Sequence, residues 1–249
     1  MAKIGTSWDD AEPWYSQCVG EKGHYYHQKI VIPNSLRLLD LKQGDSLLDL
    51  GCGQGVFARH LPPGIEYCGI DNAKELIREA KNRGSGTFQV GDAADKLDLA
   101  GAAFTNACFI LSLQNMERQD RAIDNAARSL KEGGKLLLVL NHPCFRIPRQ
   151  THWGLDEAAK LRYRRLNAYM SPQRIPIQTH PGKGEKSQTT FSFHFPLSSY
   201  GKWIREAQCS ILSIEEWCSD KKSSGAHAKM EDRARREFPL FLALLAIKS

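Results

Sequence analysis

Apolar residues along the chain fall into short runs separated by amphipathic stretches. Residues 46–50 form an apolar run that leads into a glycine turn, which predicts a strand. Residues 73–83 place their apolar side chains on one face, as an α-helix does. The continuous apolar run at residues 135–140 is typical of a central strand covered on both faces. Further strands are predicted at residues 65–70, 87–90, 103–110, 210–217 and 240–247, and further helices at residues 54–61, 117–130 and 197–207.

Strands and helices alternate up to residue 141, and this order predicts a parallel, doubly wound α/β sheet. Residues 143–190 then break the alternation with a stretch rich in proline, arginine and aromatic residues. We predict a helix at residues 156–167 within this insertion. The last two strands have no clear helix between them, which favours an antiparallel hairpin at the edge of the sheet.

The length of 249 residues suits one domain. The formal net charge is +6, and residues 143–190 account for it with nine Lys or Arg and three Asp or Glu. Basic character is therefore local to the insertion. No stretch approaches the roughly 20 apolar residues of a membrane span, and the N-terminus lacks a signal-peptide core, so we expect a cytoplasmic protein. The seven cysteines are scattered singly, so neither a disulfide framework nor a metal site is predicted.

A glycine-rich turn follows the first predicted strand, where doubly wound sheets bind their ligands. It has the pattern Gly51-x-Gly53-x-Gly55, and the third glycine of a dinucleotide site would fall one position later, at Val56. Asp49 precedes the turn, and a carboxylate there would repel the pyrophosphate of a dinucleotide. A ligand with a cationic amino group or a sulfonium would be attracted, which favours S-adenosylmethionine over NAD.

Two further acids end the next two predicted strands. Asp71 ends the second strand, where a carboxylate can accept hydrogen bonds from both ribose hydroxyls of a nucleoside. Asp92 ends the third strand and is placed to accept from an adenine amino group. Each acid alone is more typical of a solvated turn or a helix cap. Acids at the tips of three consecutive strands favour a nucleoside ligand.

These motifs resemble those of class I S-adenosylmethionine-dependent methyltransferases, in the small-molecule branch that includes quinone-biosynthesis enzymes. The resemblance rests on residues 47–55, 69–71, 91–93 and 130–138 and covers roughly residues 40–141. It implies a seven-stranded, mostly parallel sheet of order 3-2-1-4-5-7-6, with strand 7 antiparallel and an acceptor-side insertion after strand 5. It also implies S-adenosylmethionine as the cofactor and a helical cover formed by residues 1–40. The candidate cofactor-binding residues are Asp49, Gly51, Cys52, Gly53, Asp71, Asn72, Asp92, Ala93 and Phe109, with Tyr15 and Tyr26 from the cover.

The fourth motif departs from the commoner family pattern. Residues 104–115 have no Asp after Phe104 and no Asn/Asp-Pro-Pro-aromatic tetrad. In the family that tetrad accompanies methylation of planar amino groups on adenine or glutamine. Methylation of such groups is therefore disfavoured.

The acceptor site should lie after strands four and five. Methyl transfer is an in-line displacement that needs alignment and, where the acceptor loses a proton, a base. His142 is a candidate catalytic base because imidazole titrates near neutral pH; a histidine that fixes its loop by hydrogen bonds is an equally good interpretation. Cys144 resembles the nucleophile of C5-cytosine methylation, but a half-buried loop cysteine is favoured.

The insertion is predicted to form a lid over the methyl group of the cofactor. Its arginine and aromatic side chains suit a carboxylate or phosphate and a flat or apolar acceptor. They equally suit RNA, or a lid helix with a solvated basic face. The candidate acceptor-binding residues are His24, His27, Arg146, Trp153 and His194.

We therefore expect a methyltransferase that acts on a small anionic or aromatic metabolite, with a quinone-type acceptor included. The alternative is an RNA methyltransferase that holds its substrate through the basic insertion, although no separate RNA-binding module is visible. A non-enzymatic scaffold is disfavoured by the intact set of cofactor acids.

Overall fold

The structure is a computed structural model that describes residues 20, 22–97, 99, 103–178 and 189–249. Its strands are β1 (Ser46–Leu50), β2 (Glu66–Asp71), β3 (Thr87–Val90), β4 (Phe104–Ile110), β5 (Leu130–Asn141), β6 (Thr151–Asp156), β7 (Leu161–Leu166), β8 (Gln173–Gln178), β9 (Thr189–His194), β10 (Cys209–Trp217) and β11 (Phe241–Lys248). Its α-helices are α1 (Ile32–Leu39), α2 (Lys74–Arg83), α3 (Gln119–Arg128), α4 (Leu197–Glu206) and α5 (Ala228–Glu237). A turn of π-helix at His27–Val31 runs into α1, and 3-10 turns lie at Ala58–His60 and Leu113–Asn115. Within the described ranges no helix is both long enough and apolar enough to cross a membrane.

Seven strands form one sheet in the order β10-β11-β5-β4-β1-β2-β3. Strands β1 to β5 are parallel, and β11 is antiparallel to both of its neighbours, β5 and β10. With β10 and β11 counted as the sixth and seventh strands, this is the predicted order 3-2-1-4-5-7-6. The predicted fold is confirmed.

Apolar side chains cover both faces of the sheet. One core cluster joins the sheet to α3 and α4 and contains Phe109, Ile123 and Leu138. The other joins it to α1 and α2 and contains Leu47 and Leu137. Successive residues of β5 therefore enter opposite clusters, which explains its continuous apolar run. Parallel strands also bring the loops after β1 to β5 to one edge of the sheet.

The segment between β5 and α4 forms two β-hairpins, β6–β7 and β8–β9. The helix predicted at residues 156–167 is wrong, because Lys160 takes a left-handed conformation with φ of 49° and the flanking residues pair as strands. The guanidinium groups of Arg162 and Arg164 lie 5.1 and 4.9 Å from the Trp153 ring centroid. These contacts pair residues across the two strands of a hairpin, whereas the helix prediction considered only the spacing of three and four residues along the chain.

Two smaller predictions also fail for physical reasons. The helix predicted at residues 54–61 is reduced to the 3-10 turn Ala58–His60, because Gly55 has a φ of 72° that an α-helix does not accept. Helix α5 lies between β10 and β11, where no clear helix is predicted. Its one buried residue is Ala234, so it has almost no apolar periodicity for the sequence to display.

Candidate active site

The glycine turn after β1 is shaped by close backbone contacts. The N–H groups of Gly51 and Cys52 both donate to the Ile70 carbonyl, at 2.7 and 3.1 Å, which ties the turn to the tip of β2. Gly51 has a φ of 76°, and a Cβ atom at this position would lie 2.4 Å from Cβ of Ser112. Both the backbone conformation and the space therefore require glycine.

Asp49 lies in β1 just before the turn and is 1% exposed. Its Oδ2 accepts a 2.7 Å hydrogen bond from the Tyr67 hydroxyl, while Oδ1 has no partner among the described residues. Burial raises the pKa of Asp49 to about 7, against hydrogen bonds from Tyr67 and Cys108 that lower it. A buried oxygen without a partner costs roughly 1–3 kcal/mol, so Asp49 fits a ligand that brings a cation or a donor to Oδ1.

The carboxylates of Asp71 and Asp92 organise the loops after β2 and β3. Oδ2 of Asp71 accepts from the Gly53 N–H at 2.9 Å and Oδ1 from the Ala73 N–H at 2.9 Å. Asp71 thus holds the glycine turn against the tip of β2. Oδ1 of Asp92 accepts from the Ala94 N–H at 2.9 Å. Asp49 lies in β1, Asp71 ends β2 and Asp92 follows β3 by two residues, so the three acids are brought to adjacent strands, as the sequence predicts.

The other candidate cofactor residues have varied surroundings. Cys52 is buried, and burial raises the pKa of its thiol well above the ordinary value. Phe109 is fully buried in the core cluster that faces α3 and α4. The Tyr26 hydroxyl lies 3.1 Å from Oγ of Ser219. Asn72 is half-buried beside Asp71. The carbonyl of buried Ala93 accepts a hydrogen bond from Asn125 at 2.8 Å. Tyr15 lies outside the described residues. Their contacts with the cofactor stay predictions.

His142 follows β5 and is 2% exposed. Its Nδ1 accepts from the Cys144 N–H at 3.1 Å, so in the neutral ring Nε2 carries the proton and donates to Glu216 at 2.6 Å. Burial lowers the pKa of His142, and Glu216 opposes this shift. With both nitrogens engaged, the geometry favours the interpretation of His142 as a histidine that fixes its loop.

His24 and His27 stack at the start of the N-terminal helical segment, with ring centroids 3.9 Å apart. Nδ1 of His24 accepts from the N–H groups of Tyr26 and His27, at 3.2 and 3.4 Å, and so caps the helix. Nδ1 of His27 is buried without a partner among the described residues, and burial lowers the pKa of His27 to about 3. Contact of either histidine with an acceptor stays a prediction.

Arg146 and Trp153 belong to different parts of the segment after β5. Arg146 donates to Oδ1 of Asn141 at 2.7 Å and covers the Phe241 ring, 5.3 Å from its centroid. Trp153 is 40% exposed and packs edge-on against Phe238, with ring centroids 5.3 Å apart. Arg146 is therefore at the end of β5, whereas Trp153 is out on the β6–β7 hairpin.

The strand β9 brings together a group of polar residues that local sequence patterns largely miss. His194 is 5% exposed, and its Nε2 lies 2.7 Å from the Tyr169 carbonyl oxygen. Buried Gln114 follows β4, and its carbonyl accepts from Oγ of Ser192 at 3.5 Å. Oε1 of Gln114 and Oγ1 of Thr190 are buried without hydrogen-bond partners in the described part of the chain. These contacts join segments that are distant along the chain. The alternation of polar and apolar residues along β9 was the one pattern in the sequence that pointed to them.

A seven-stranded sheet of this order, with a glycine turn after β1 and acids in β1, at the end of β2 and just after β3, defines the class I S-adenosylmethionine-dependent methyltransferase fold. Residues 48–138 match the family model described as a methyltransferase domain. The family and fold imply S-adenosylmethionine as the cofactor. The partnerless Oδ1 of Asp49 and the acids at the strand tips fit its cationic and nucleoside parts.

The comparisons with known proteins agree on fold and domain. A crystal structure of an S-adenosylmethionine-dependent methyltransferase from Mesorhizobium loti superposes with a TM-score of 0.67 at 22% identity, covering 88% of this chain and 99% of that one. O-methyltransferase resE of Aspergillus sclerotiorum is 33% identical over 110 residues, 41% of each chain. Nocamycin O-methyltransferase of Saccharothrix syringae is 42% identical over 83 residues, covering 28% of this chain and 30% of its own. The match thus spans less than half the length of these curated relatives.

Proposed function

We propose that the chain transfers the methyl group of S-adenosylmethionine to an oxygen atom of a small anionic or aromatic acceptor. The observation that carries this proposal is Asp49, a buried carboxylate before the glycine turn, one oxygen of which accepts no hydrogen bond from the residues that the structure describes. A cationic ligand would satisfy that oxygen and favour the ionised carboxylate. The bound cofactor supplies an electrophilic methyl group on a sulfonium.

The residues around the glycine turn would share the work of holding the cofactor. Asp49 would attract its cationic part. A carboxylate has about four acceptor positions, so Asp71 can hold Gly53 and Ala73 and still accept from ribose hydroxyls. Asp92 and Ala93 would receive the adenine. None of these residues takes part in bond making, so their role is alignment.

Two observations support an oxygen acceptor of small size and negative charge. The relatives that share residues of the methyltransferase domain include several proteins named as O-methyltransferases. Arg146 uses one guanidinium donor on Asn141, and no carboxylate of the described residues pairs with it. An anionic acceptor would supply the charge partner that this half-buried guanidinium lacks, and Phe241 beneath it would favour an aromatic ring.

An RNA acceptor is the alternative, and the contacts of the basic insertion weigh against it. Arg162 pairs with Glu231 at 2.9 Å. Arg164 donates to the Phe145 carbonyl at 2.8 Å and to Thr151 at 2.9 Å. Both guanidinium groups also cover Trp153. These cations stabilise the hairpin and leave fewer donors for phosphates.

The proposal includes a single domain over residues 1–249, in which residues 1–40 form a cover and residues 143–190 a lid. It also places the protein in the cytoplasm. The six cysteines of the described ranges are free thiols, as is usual in a reducing compartment.

Transfer of tritiated methyl groups from S-adenosylmethionine tests the acceptor class. Purified protein is incubated with small-molecule extract and, separately, with total RNA. We expect label in the small-molecule fraction and none in RNA. Label confined to RNA contradicts the small-molecule proposal, and label in neither contradicts the enzymatic one.

Calorimetry tests the cofactor assignment separately. Asp71→Ala should weaken S-adenosylmethionine binding by at least about tenfold, or 1.4 kcal/mol. Asp124→Asn is the control, because Asp124 is on α3 and pairs with Arg128 at the surface. Equal affinity of Asp71→Ala and the control contradicts the assignment.

A further inference from the structure

The strand β9 passes beside the loop that supports the glycine turn. Ser112 packs against Gly51, and Oγ of Ser112 donates to the Leu50 carbonyl at 2.6 Å. Two residues further along, the Gln114 carbonyl accepts from Ser192 of β9. The loop after β4 therefore contacts the glycine turn through Ser112 and contacts β9 through Gln114.

One face of β9 is polar, although the strand is largely buried. Thr190, Ser192 and His194 occupy alternate positions and so share a face. Oγ1 of Thr190 and Oε1 of neighbouring Gln114 lack hydrogen-bond partners within the described segments. Thr190 and Gln114, which both neighbour Ser192, thus each have one buried oxygen that fits a donor on a ligand.

The hydrogen bond of His194 fixes its tautomer. The Tyr169 carbonyl can only accept, so Nε2 of His194 must donate to it over 2.7 Å. In the neutral ring the lone pair then lies on Nδ1. No residue in the described part of the chain donates to this atom. His142 differs, because its Nδ1 already accepts from the Cys144 N–H.

Among the described residues, no charged group contributes to the pKa of His194. Burial lowers the pKa of His194, against the hydrogen bond to Tyr169. The Tyr169 ring lies 5.9 Å away, and its hydroxyl contacts the Cys144 thiol. Burial raises the pKa of Tyr169 and Cys144, and also that of Tyr200 on the adjacent α4. At neutral pH these groups are protonated and His194 is neutral.

We propose that His194 is the base that receives the proton of the acceptor hydroxyl, while Gln114 and Thr190 accept hydrogen bonds from further hydroxyl groups of the same acceptor. This inference rests on the proposed function and narrows the acceptor to a small molecule with several hydroxyl groups. The hydroxyl proton moves to Nδ1 of His194. The acceptor oxygen bonds to the methyl carbon as the carbon–sulfur bond breaks, and that electron pair stays on sulfur. The imidazolium, still bonded to Tyr169, returns the proton to solvent.

Nitrogen-15 NMR of histidine-labelled protein tests the tautomer without any acceptor. The His194 signals are assigned as those absent from His194→Gln, a substitution that preserves a donor for the Tyr169 carbonyl. We expect a neutral Nε2–H ring at pH 7 and a midpoint of titration below 6.5. A neutral ring protonated at Nδ1, or a charged ring at pH 7, overturns the proposal.

The pH profile of methyl transfer into small-molecule extract tests the role of the base. With S-adenosylmethionine saturating at every pH, so that Asp49 does not contribute to the profile, His194→Gln should lower the rate at least about 100-fold, remove the acid limb and leave calorimetric affinity for S-adenosylmethionine within twofold. His142→Gln is the control and should retain the acid limb. A His194→Gln protein with more than a tenth of the rate and an unchanged limb contradicts the proposal. Absence of transfer by the unsubstituted protein contradicts the proposed function, and the NMR result then still decides the tautomer.

Thr190→Val tests recognition of the acceptor, because it removes the hydroxyl with little change in shape. Ser198→Ala, at an exposed position of α4, is the control. We expect at least a fivefold loss of label incorporation for Thr190→Val with unchanged cofactor affinity. Equal incorporation by both variants contradicts the role of Thr190.

Discussion

At the scale of single residues, the buried carboxyl of Asp49 destabilises the fold when it is ionised and, by our proposal, attracts the cationic part of the cofactor. Its pKa is raised above the ordinary value, so the folded state binds more protons than the unfolded state between about pH 4 and 7. Its contribution to stability is therefore present at low pH and is lost as pH rises to about 7. At pH 8 the free protein holds a buried carboxylate that is stabilised, among the described side chains, by the Tyr67 hydroxyl and the Cys108 thiol.

We predict that Asp49→Asn stabilises the free protein and weakens cofactor binding. At pH 8 the free energy of unfolding should rise by something on the order of 3 kcal/mol, because asparagine removes the cost of ionising a buried carboxyl whose pKa is about 7 rather than about 4. The affinity of the unsubstituted protein for S-adenosylmethionine should increase by up to about tenfold per pH unit towards pH 7, and that of the variant should be flat. Urea titration and calorimetry from pH 5 to 8 measure both. A variant that is less stable at pH 8 and binds with the same pH dependence contradicts this explanation.

The glycine turn offers a second prediction at this scale. Gly51 and Gly133 have φ of 76° and 74°, but no atom lies within 4 Å of a Cβ added at Gly133. The conformational cost of alanine, about 1–2 kcal/mol, is common to both. Gly51→Ala must also displace Ser112, at a further cost on the order of 2 kcal/mol, and should lose at least tenfold in cofactor affinity. Urea titration and calorimetry should find Gly133→Ala mildly destabilised with normal affinity. Equal effects of the two substitutions would falsify the steric explanation.

At the scale of elements, the β6–β7 hairpin depends on Arg164. Its guanidinium donates hydrogen bonds to the Phe145 carbonyl and to the Thr151 hydroxyl, and it packs over the Trp153 ring. Arg164→Lys keeps the charge but loses the planar fork, so we expect a loss of about 1–2 kcal/mol in the free energy of unfolding. Hydrogen exchange across residues 151–166 should also become faster.

The adjacent Arg165 is exposed and provides the control for this prediction. Arg165→Lys should change the urea midpoint by an amount equivalent to less than about 0.5 kcal/mol. If the two substitutions have equal effects on the midpoint and on exchange, the hairpin does not depend on the contacts of Arg164.

The same elements show what the sequence can and cannot predict. Strands β1, β2, β4 and β5 were predictable because each buries a local apolar run, and the acids of the site because each lies in its strand or within two residues of the end of that strand. The β6–β7 hairpin was mispredicted because cross-strand packing of Trp153 stabilises it. The contact between Ser192 and Gln114 joins residues 78 positions apart, and that between His142 and Glu216 joins residues 74 apart. Local patterns contain no signal for such pairs.

At the scale of the whole molecule, buried histidines link stability to pH. His27 has a pKa of about 3, and those of His24, His142 and His194 are lowered, in each case mainly by burial. Unfolded histidines have a pKa of about 6.5. The unfolded state thus binds more protons as pH falls below 6.5, so the free energy of unfolding falls with pH. The raised pKa of Asp49 opposes this trend above pH 4, but Asp49 is a single group and four histidines have lowered pKa values.

We predict that His27→Phe reduces this acid sensitivity. Phenylalanine keeps the stacking on His24, removes the buried Nδ1 and cannot take up a proton. The substitution should therefore remove at most about 4–5 kcal/mol of the decrease in unfolding free energy between pH 6.5 and 3. Urea titrations should show a smaller slope of unfolding free energy against pH, by up to one proton, with unchanged or higher stability at pH 7. His227→Phe, at an exposed position, should leave the slope unchanged. If His27→Phe retains the full slope, the acid sensitivity arises from the other three histidines and burial does not hold His27 neutral.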